Sequence, residues 1–146
     1  MIGWRLCRRS HADLTGEGAC LFGGRWNSPS RPVVYLTDHP ALAVLEVHVH
    51  LDLPFELLPA DFVLMQVVVP DGPTADLAAS ADSAAIGDAW LAEARSATLR
   101  VPSVLIPHAW NVLLNPRHPD AAQALTGDVK PFGFNPRLWH PLAGEV

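Results

Sequence analysis

Apolar positions in this chain fall into short runs bounded by proline and glycine, with one longer stretch at residues 41–51. Residues 33–37 are β-branched and aromatic and predict a strand. Asp38 as an N-cap and Pro40 in the first turn then predict a helix over 41–51. That helix is apolar nearly all round, which makes it central rather than peripheral; its polar members are Glu46, His48 and His50. Residues 62–69 form a continuous valine-rich run between Asp61 and the turn Pro70-Asp71-Gly72-Pro73, as a well-buried strand does. Upstream, residues 3–7 predict a first strand, 10–18 a loop, and 20–22 a strand start broken by Gly23-Gly24. Residues 27–32 carry two prolines and read as a turn. Downstream, 74–87 reads as short helix or loop, 88–98 as a helix capped by Asp88, and 100–106 as a second buried strand. Residues 110–114 are strand-like, 118–127 hold a helix of one to two turns stopping at Gly127, and 128–134 and 137–140 read as short terminal strands. Strands outnumber helices without regular alternation, so the expected class is α+β, a single compact domain over residues 1–146 with central strands.

Composition narrows the function classes. Of 146 residues, 49% are apolar and 17% charged, which fits a packed core and excludes a disordered chain. A net charge of −5 offers no basic footprint, so direct nucleic-acid binding is not expected. Cys7 and Cys20 are too few for a disulfide framework and lack metal-ligand spacing. No apolar h-region follows the basic residues near the start, and no stretch has the length of a membrane span. A cytoplasmic protein with reduced thiols and no membrane association is expected.

Three unlike polar groups stand out because each sits on a different local element. Arg25 follows two glycines, a setting for a fixed cation beside exposed backbone amides and thus for a phosphate; it also fits a plain surface turn. The segment lacks the context of a dinucleotide fingerprint and the lysine of a P-loop. Tyr35, the single tyrosine, is either a stacking platform for a flat ring or a core residue with its hydroxyl bonded. Glu46 is either a functional carboxylate in apolar surroundings or, with His50 one turn on, part of a solvated stripe. Glu46, His48, His50 and His39 lie close in sequence, but Glu46 and His50 face one way and His48 another, and His11, His108, His118 and His140 are scattered, so no metal site is expected. Ser103 lacks the glycines of a nucleophile elbow and reads as a small residue bonding nearby backbone.

Together, GGRWNSPSRPVVYLTDHPALAVLE and VPSVLIPHAWNVLLNPRHPD resemble the RES domain family, toxins of bacterial type II RES–Xre toxin–antitoxin pairs. The family's Arg, Glu and Ser match Arg25, Glu46 and Ser103, and the likeness runs from Trp4-Arg5-Leu6 to Trp139. His108-Ala109 stands where an acidic residue or glycine is commoner in relatives. The resemblance implies a fold like that of ADP-ribosyltransferase toxins and an enzyme that depletes NAD+ by cleaving the nicotinamide–ribose bond, with water or phosphate as acceptor. An alternative it carries is mono-ADP-ribosyl transfer to a protein; a non-catalytic nucleotide-binding module is the remaining one. Carried over by position, Arg5 and Arg25 hold the pyrophosphate and ribose region, Tyr35 stacks on nicotinamide, and Glu46 binds the ribose beside the scissile bond. Ser103 orders the site and Asn111 lines it. The implied partner is an Xre-like helix-turn-helix antitoxin that covers the pocket in a hetero-oligomer; NAD+ is substrate, phosphate a potential co-substrate, and no cofactor is called for.

Overall fold

The computed structural model describes residues 1–77 and 82–139. Six strands form one sheet: β1 (Ile2–Arg8), β2 (Val34–Thr37), β3 (Phe62–Val68), β4 (Thr98–Pro102), β5 (Trp110–Leu114) and β6 (Leu125–Pro131). Their order is β4-β5-β2-β1-β3-β6, with every recorded pairing antiparallel. Among the described residues three α-helices accompany them, α1 (Glu17–Phe22), α2 (Pro40–His48) and α3 (Ser83–Glu93). The α+β expectation holds.

One face of the sheet is a continuous apolar layer. Val63, Met65 and Val67 alternate along β3 and meet Val34, Leu36, Val112 and Leu114, and each of these seven is at most 2% exposed. Full burial of such side chains is worth roughly 1.5–3 kcal/mol apiece. The other face is divided. Over β1 and β3, α2 packs Ala43, Val44 and Val47 against Leu6, Phe62 and Phe134. Over β2, β5 and β4, Ala19 of α1 and Trp90 of α3 pack with Trp26, Leu99, Val101 and Leu113.

The two halves of that face part company where β1 meets β2. β1 pairs with β3 along its whole length, but with β2 at a single position, Trp4 opposite Thr37. The sheet is therefore splayed between its two central strands, and a cleft opens above the splay.

Several elements differ from the sequence expectation, each for a physical reason. The expected loop 10–18 and strand start 20–22 give way to α1, a helix too short for periodicity to register. It lies between Gly16 and Gly23, both at positive φ (70° and 72°), and Asn27 and Ser30 reach in to its Ala19 and Cys20 carbonyls. The cap of α2 is His39, whose Nδ1 accepts the Ala41 N–H, rather than Asp38. The third helix starts at Ser83, capped by Asp82, whose carboxylate accepts the N–H groups of Ala84 and Ala85; Asp88 lies inside it and does not cap it. β4 ends at Pro102, short of the expected 106. The expected helix over 118–127 is a 3-10 turn, Pro119–Gln123, and Gly127 belongs to β6. There a Cβ would stand 3.1 Å from Gln66 Oε1, at the register shift between Met65 and Val67, so this glycine marks a bulge and not a helix end. The expected strand 137–140 is instead a 3-10 turn at Pro136–Leu138, and His140 lies outside the described residues. His108 takes φ 66°, a left-handed backbone conformation that glycine adopts freely.

Candidate active site

The cleft over the splay has a volume of about 1110 Å³. Its floor is the row Asn111, Thr37 and Trp4, which lie opposite one another on β5, β2 and β1, with Tyr35 two residues along β2 on the same face. One wall is α2, which presents Ala43, Glu46 and Val47, with Val49 and His50 following just past its end. The spacing of the first three is that of one helical stripe. His48, pointing elsewhere as its position predicts, packs edge-on against Trp139 at 4.7 Å. The opposite wall is α1 with the turn after it, Phe22 to Trp26, and the start of α3.

Arg5, Arg25, Tyr35, Glu46 and Asn111 all line this cleft, so five of the six residues singled out in the sequence are brought together. Ser103 is not among them. Its Oγ accepts the N–H groups of Leu105 and Ile106, both at 3.1 Å, so it holds the turn that delivers Val104 and Leu105 to the cleft wall. Its hydroxyl contacts nearby backbone and does not line the cleft.

Glu46 is half-buried, and its Oε1 is shielded from solvent with no hydrogen-bond partner among the described residues. A buried carboxylate oxygen without a donor is costly, and it faces a cavity that can supply one. Arg5 donates from Nη1 to the Asp13 carbonyl at 2.5 Å, which ties down its guanidinium. Arg25 is exposed, and among the described residues its side chain has no hydrogen bond or ion pair.

Arg25 rides a tight turn that the sequence shows only in outline. Gly24 and Asn27 bond each other across it, N–H to carbonyl at 3.0 and 3.4 Å. Tyr35 closes it from below: its hydroxyl accepts the Trp26 N–H at 3.0 Å and donates to Asn27 Oδ1 at 2.6 Å. A Cβ on Gly24 would lie 2.7 Å from that hydroxyl, which explains the glycine. Asn27, 1% exposed, sends its amide to the carbonyls of Ala19, Ser28 and Arg31. Sequence reading placed Asn27 in a turn and missed it as the hub; a buried asparagine serving three carbonyls leaves no periodic signal.

Burial pushes the Tyr35 phenol up to about 12 from an ordinary 10, with Asp88 adding to the rise and the Trp26 N–H opposing it. The folded value exceeds the unfolded one, so the stability this group contributes is fully present below pH 10 and is lost as pH climbs through 12. Because the chain has one tyrosine, tyrosinate absorbance reports this group alone. The native protein should show it appearing near pH 12, and the Tyr35→Phe variant should lack the alkaline loss of stability. Ionisation at 10 in the folded protein would show that the hydroxyl is not held.

Among the described residues, no group of three or more His, Cys, Asp or Glu is placed to hold a metal ion, and no helix is long and apolar enough to cross a membrane. The family profile of the RES domain matches residues 2–135. A protein named Toxin Res from Pseudomonas putida is 37% identical over 133 residues, covering 85% of this chain and 90% of that one. One named Prs ADP-ribosylating toxin from a Sphingobium species is 34% identical, covering 92% and 94%. In shape, the chain resembles a chain in the crystal structure of the M. tuberculosis MbcT-MbcA toxin-antitoxin complex, with a TM-score of 0.75 at 20% identity, covering 94% and 86%. A splayed antiparallel sheet, a cleft uniting Arg25 and Glu46, and these matches agree: the chain belongs to the RES domain family.

Proposed function

We propose that this chain is the toxin of a type II toxin–antitoxin pair and acts by cleaving the nicotinamide–ribose bond of NAD+. The observation that carries the reading is the unpartnered, shielded Oε1 of Glu46 in a cleft with two arginines. The cleft exceeds the roughly 300–1,000 Å³ usual for small-ligand sites, and so has room for a dinucleotide.

In this reading Arg25 and Arg5 engage the pyrophosphate, arginine forks being suited to phosphate oxygens. Tyr35 offers its ring face to the pyridinium, an attraction worth roughly 0.5–2 kcal/mol, while its hydroxyl stays tied to the arginine turn. Glu46 accepts a ribose hydroxyl. As the C1′–N bond breaks, its electron pair leaves with nicotinamide and positive charge develops on the ribose, as in glycoside cleavage. A carboxylate held beside that ring is favourable where the charge appears. Water then adds at C1′ and loses a proton to give ADP-ribose, or phosphate adds to give its 1-phosphate ester. Nicotinamide leaves as a neutral molecule, so the reaction calls for neither a metal nor a resident cofactor.

Phe22, Val49 and Val104 border the cleft at 84%, 52% and 55% exposure, an apolar rim that a covering partner would shield. An Xre-like helix-turn-helix antitoxin in the same cytoplasm is the partner we propose, since one structural neighbour is from a toxin-antitoxin complex. The name of the Sphingobium relative favours a second reading, transfer of ADP-ribose to a protein.

Inducing the chain alone in a bacterial host should arrest growth with a fall in cellular NAD+, and co-expression of the partner should relieve both. Product analysis separates the acceptors: ADP-ribose, its phosphate ester, or labelled protein. Arrest with NAD+ unchanged and protein labelled would move the assignment to the second reading.

A further inference from the structure

We propose that Asp88, on α3 behind the cleft wall, is a positioning residue for Arg25. The proposal rests on the reading of Arg25 as the arginine that grips the substrate's phosphates.

Asp88 does not line the cleft. Its carboxylate accepts the Ser28 N–H on Oδ1 at 2.8 Å and the Ser28 hydroxyl on Oδ2 at 2.5 Å, with the Arg31 Nε 3.8 Å away. Both carboxylate oxygens are thus spent on the segment that leaves the arginine turn. One residue earlier, Gly87 lets α3 lie directly on that turn: a Cβ there would stand 1.6 Å from the Trp26 carbonyl oxygen. Tyr35 holds the same turn from the floor through Trp26 and Asn27. The Arg25 side chain has no bond of its own among the described residues, so its aim depends on the backbone that carries it, which is gripped from both sides. Charge-assisted bonds to a carboxylate are the stronger kind, which suits a group that must hold a loop from one side.

With purified protein, Asp88→Ala should raise the KM for NAD+ about tenfold while kcat changes less than about threefold, as expected when binding in ground and transition states is weakened alike. In an Arg25→Ala background the same change should cost nothing further, because it acts through the missing side chain. Asp88→Asn should restore most of the affinity, since its carbonyl can accept the Ser28 N–H and its amide can donate to the hydroxyl. Ser28→Ala, which removes one of the two bonds, should shift KM the same way by less, and it serves if Asp88→Ala does not fold. An additive loss in the Arg25→Ala background, or a fall in kcat at constant KM, would overturn the proposal. Amide exchange of Trp26 and Ser28 reads the grip without reference to activity. Faster exchange in Asp88→Ala supports it even if NAD+ proves not to be the substrate; unchanged exchange overturns it even if NAD+ is.

Discussion

Glu46→Gln should lower kcat for NAD+ cleavage by about 10²–10³-fold, the usual cost of removing one well-placed electrostatic group at a developing charge. Glutamine keeps the length and an acceptor oxygen, so ribose can still be held and KM should change little. What is lost is the full negative charge beside the ribose as nicotinamide departs. The fold should not suffer. Among the described residues Glu46 Oε1 has no partner to lose, and an uncharged amide is cheaper to keep in a half-buried position on α2. Steady-state kinetics with a thermal melt check both halves. Equal losses in activity and melting temperature would show that Glu46 supports the fold rather than the chemistry.

Gly87→Ala should destabilise the protein by about 3 kcal/mol or more, the upper part of the range for overpacked interiors. The sign is the informative part. Inside a helix, alanine is ordinarily better than glycine by about 1 kcal/mol. Here the added methyl would sit 1.6 Å from the Trp26 carbonyl, and backbone cannot swing aside as a side chain can. α3 would have to lift off the arginine turn, taking Trp90 partly out of its cluster with Trp26, Val33 and Leu99. Denaturant unfolding measures the loss, and a variant as stable as the parent would mean the helix does not lie on the turn. Residual folded variant should also bind NAD+ poorly, since the wall that holds Arg25 has moved.

Much of the sheet was legible because its strands are short, valine-rich and bounded by proline. Residues 33–37, 62–69 and 110–114 correspond to β2, β3 and β5 within a residue or so at each end. The cleft face of α2 was partly legible for the same reason: residues about one turn apart share a face, and Ala43, Glu46 and Val47 line the cleft while His48 does not; the helix stops at His48, so His50 reaches the cleft from the turn beyond it. Helix starts were the harder matter. Asp38 and Asp88 are good capping residues by type, but the caps are His39 and Asp82, and only the tertiary setting chooses between candidates one or six residues apart. α1 escaped notice because six residues cannot show a period, and it is held by a buried asparagine and two left-handed glycines. The arginine turn was visible only as glycines followed by a cation. Its side-chain contacts, Tyr35 with Asn27 and Asp88 with Ser28, join separate elements and leave no periodic signal in the sequence. Ser103 shows the reverse case, a residue marked by resemblance whose hydroxyl turns to its own backbone.

The central claim is that the cleft bearing Arg25, Tyr35 and Glu46 breaks the nicotinamide–ribose bond. Its most direct test is to incubate the purified chain with NAD+, with and without phosphate, and follow free nicotinamide by NMR. The account predicts catalytic release of nicotinamide that falls by orders of magnitude in Glu46→Gln. No release under either condition, with NAD+ still bound in the cleft, would contradict it and leave a nucleotide-binding module in its place.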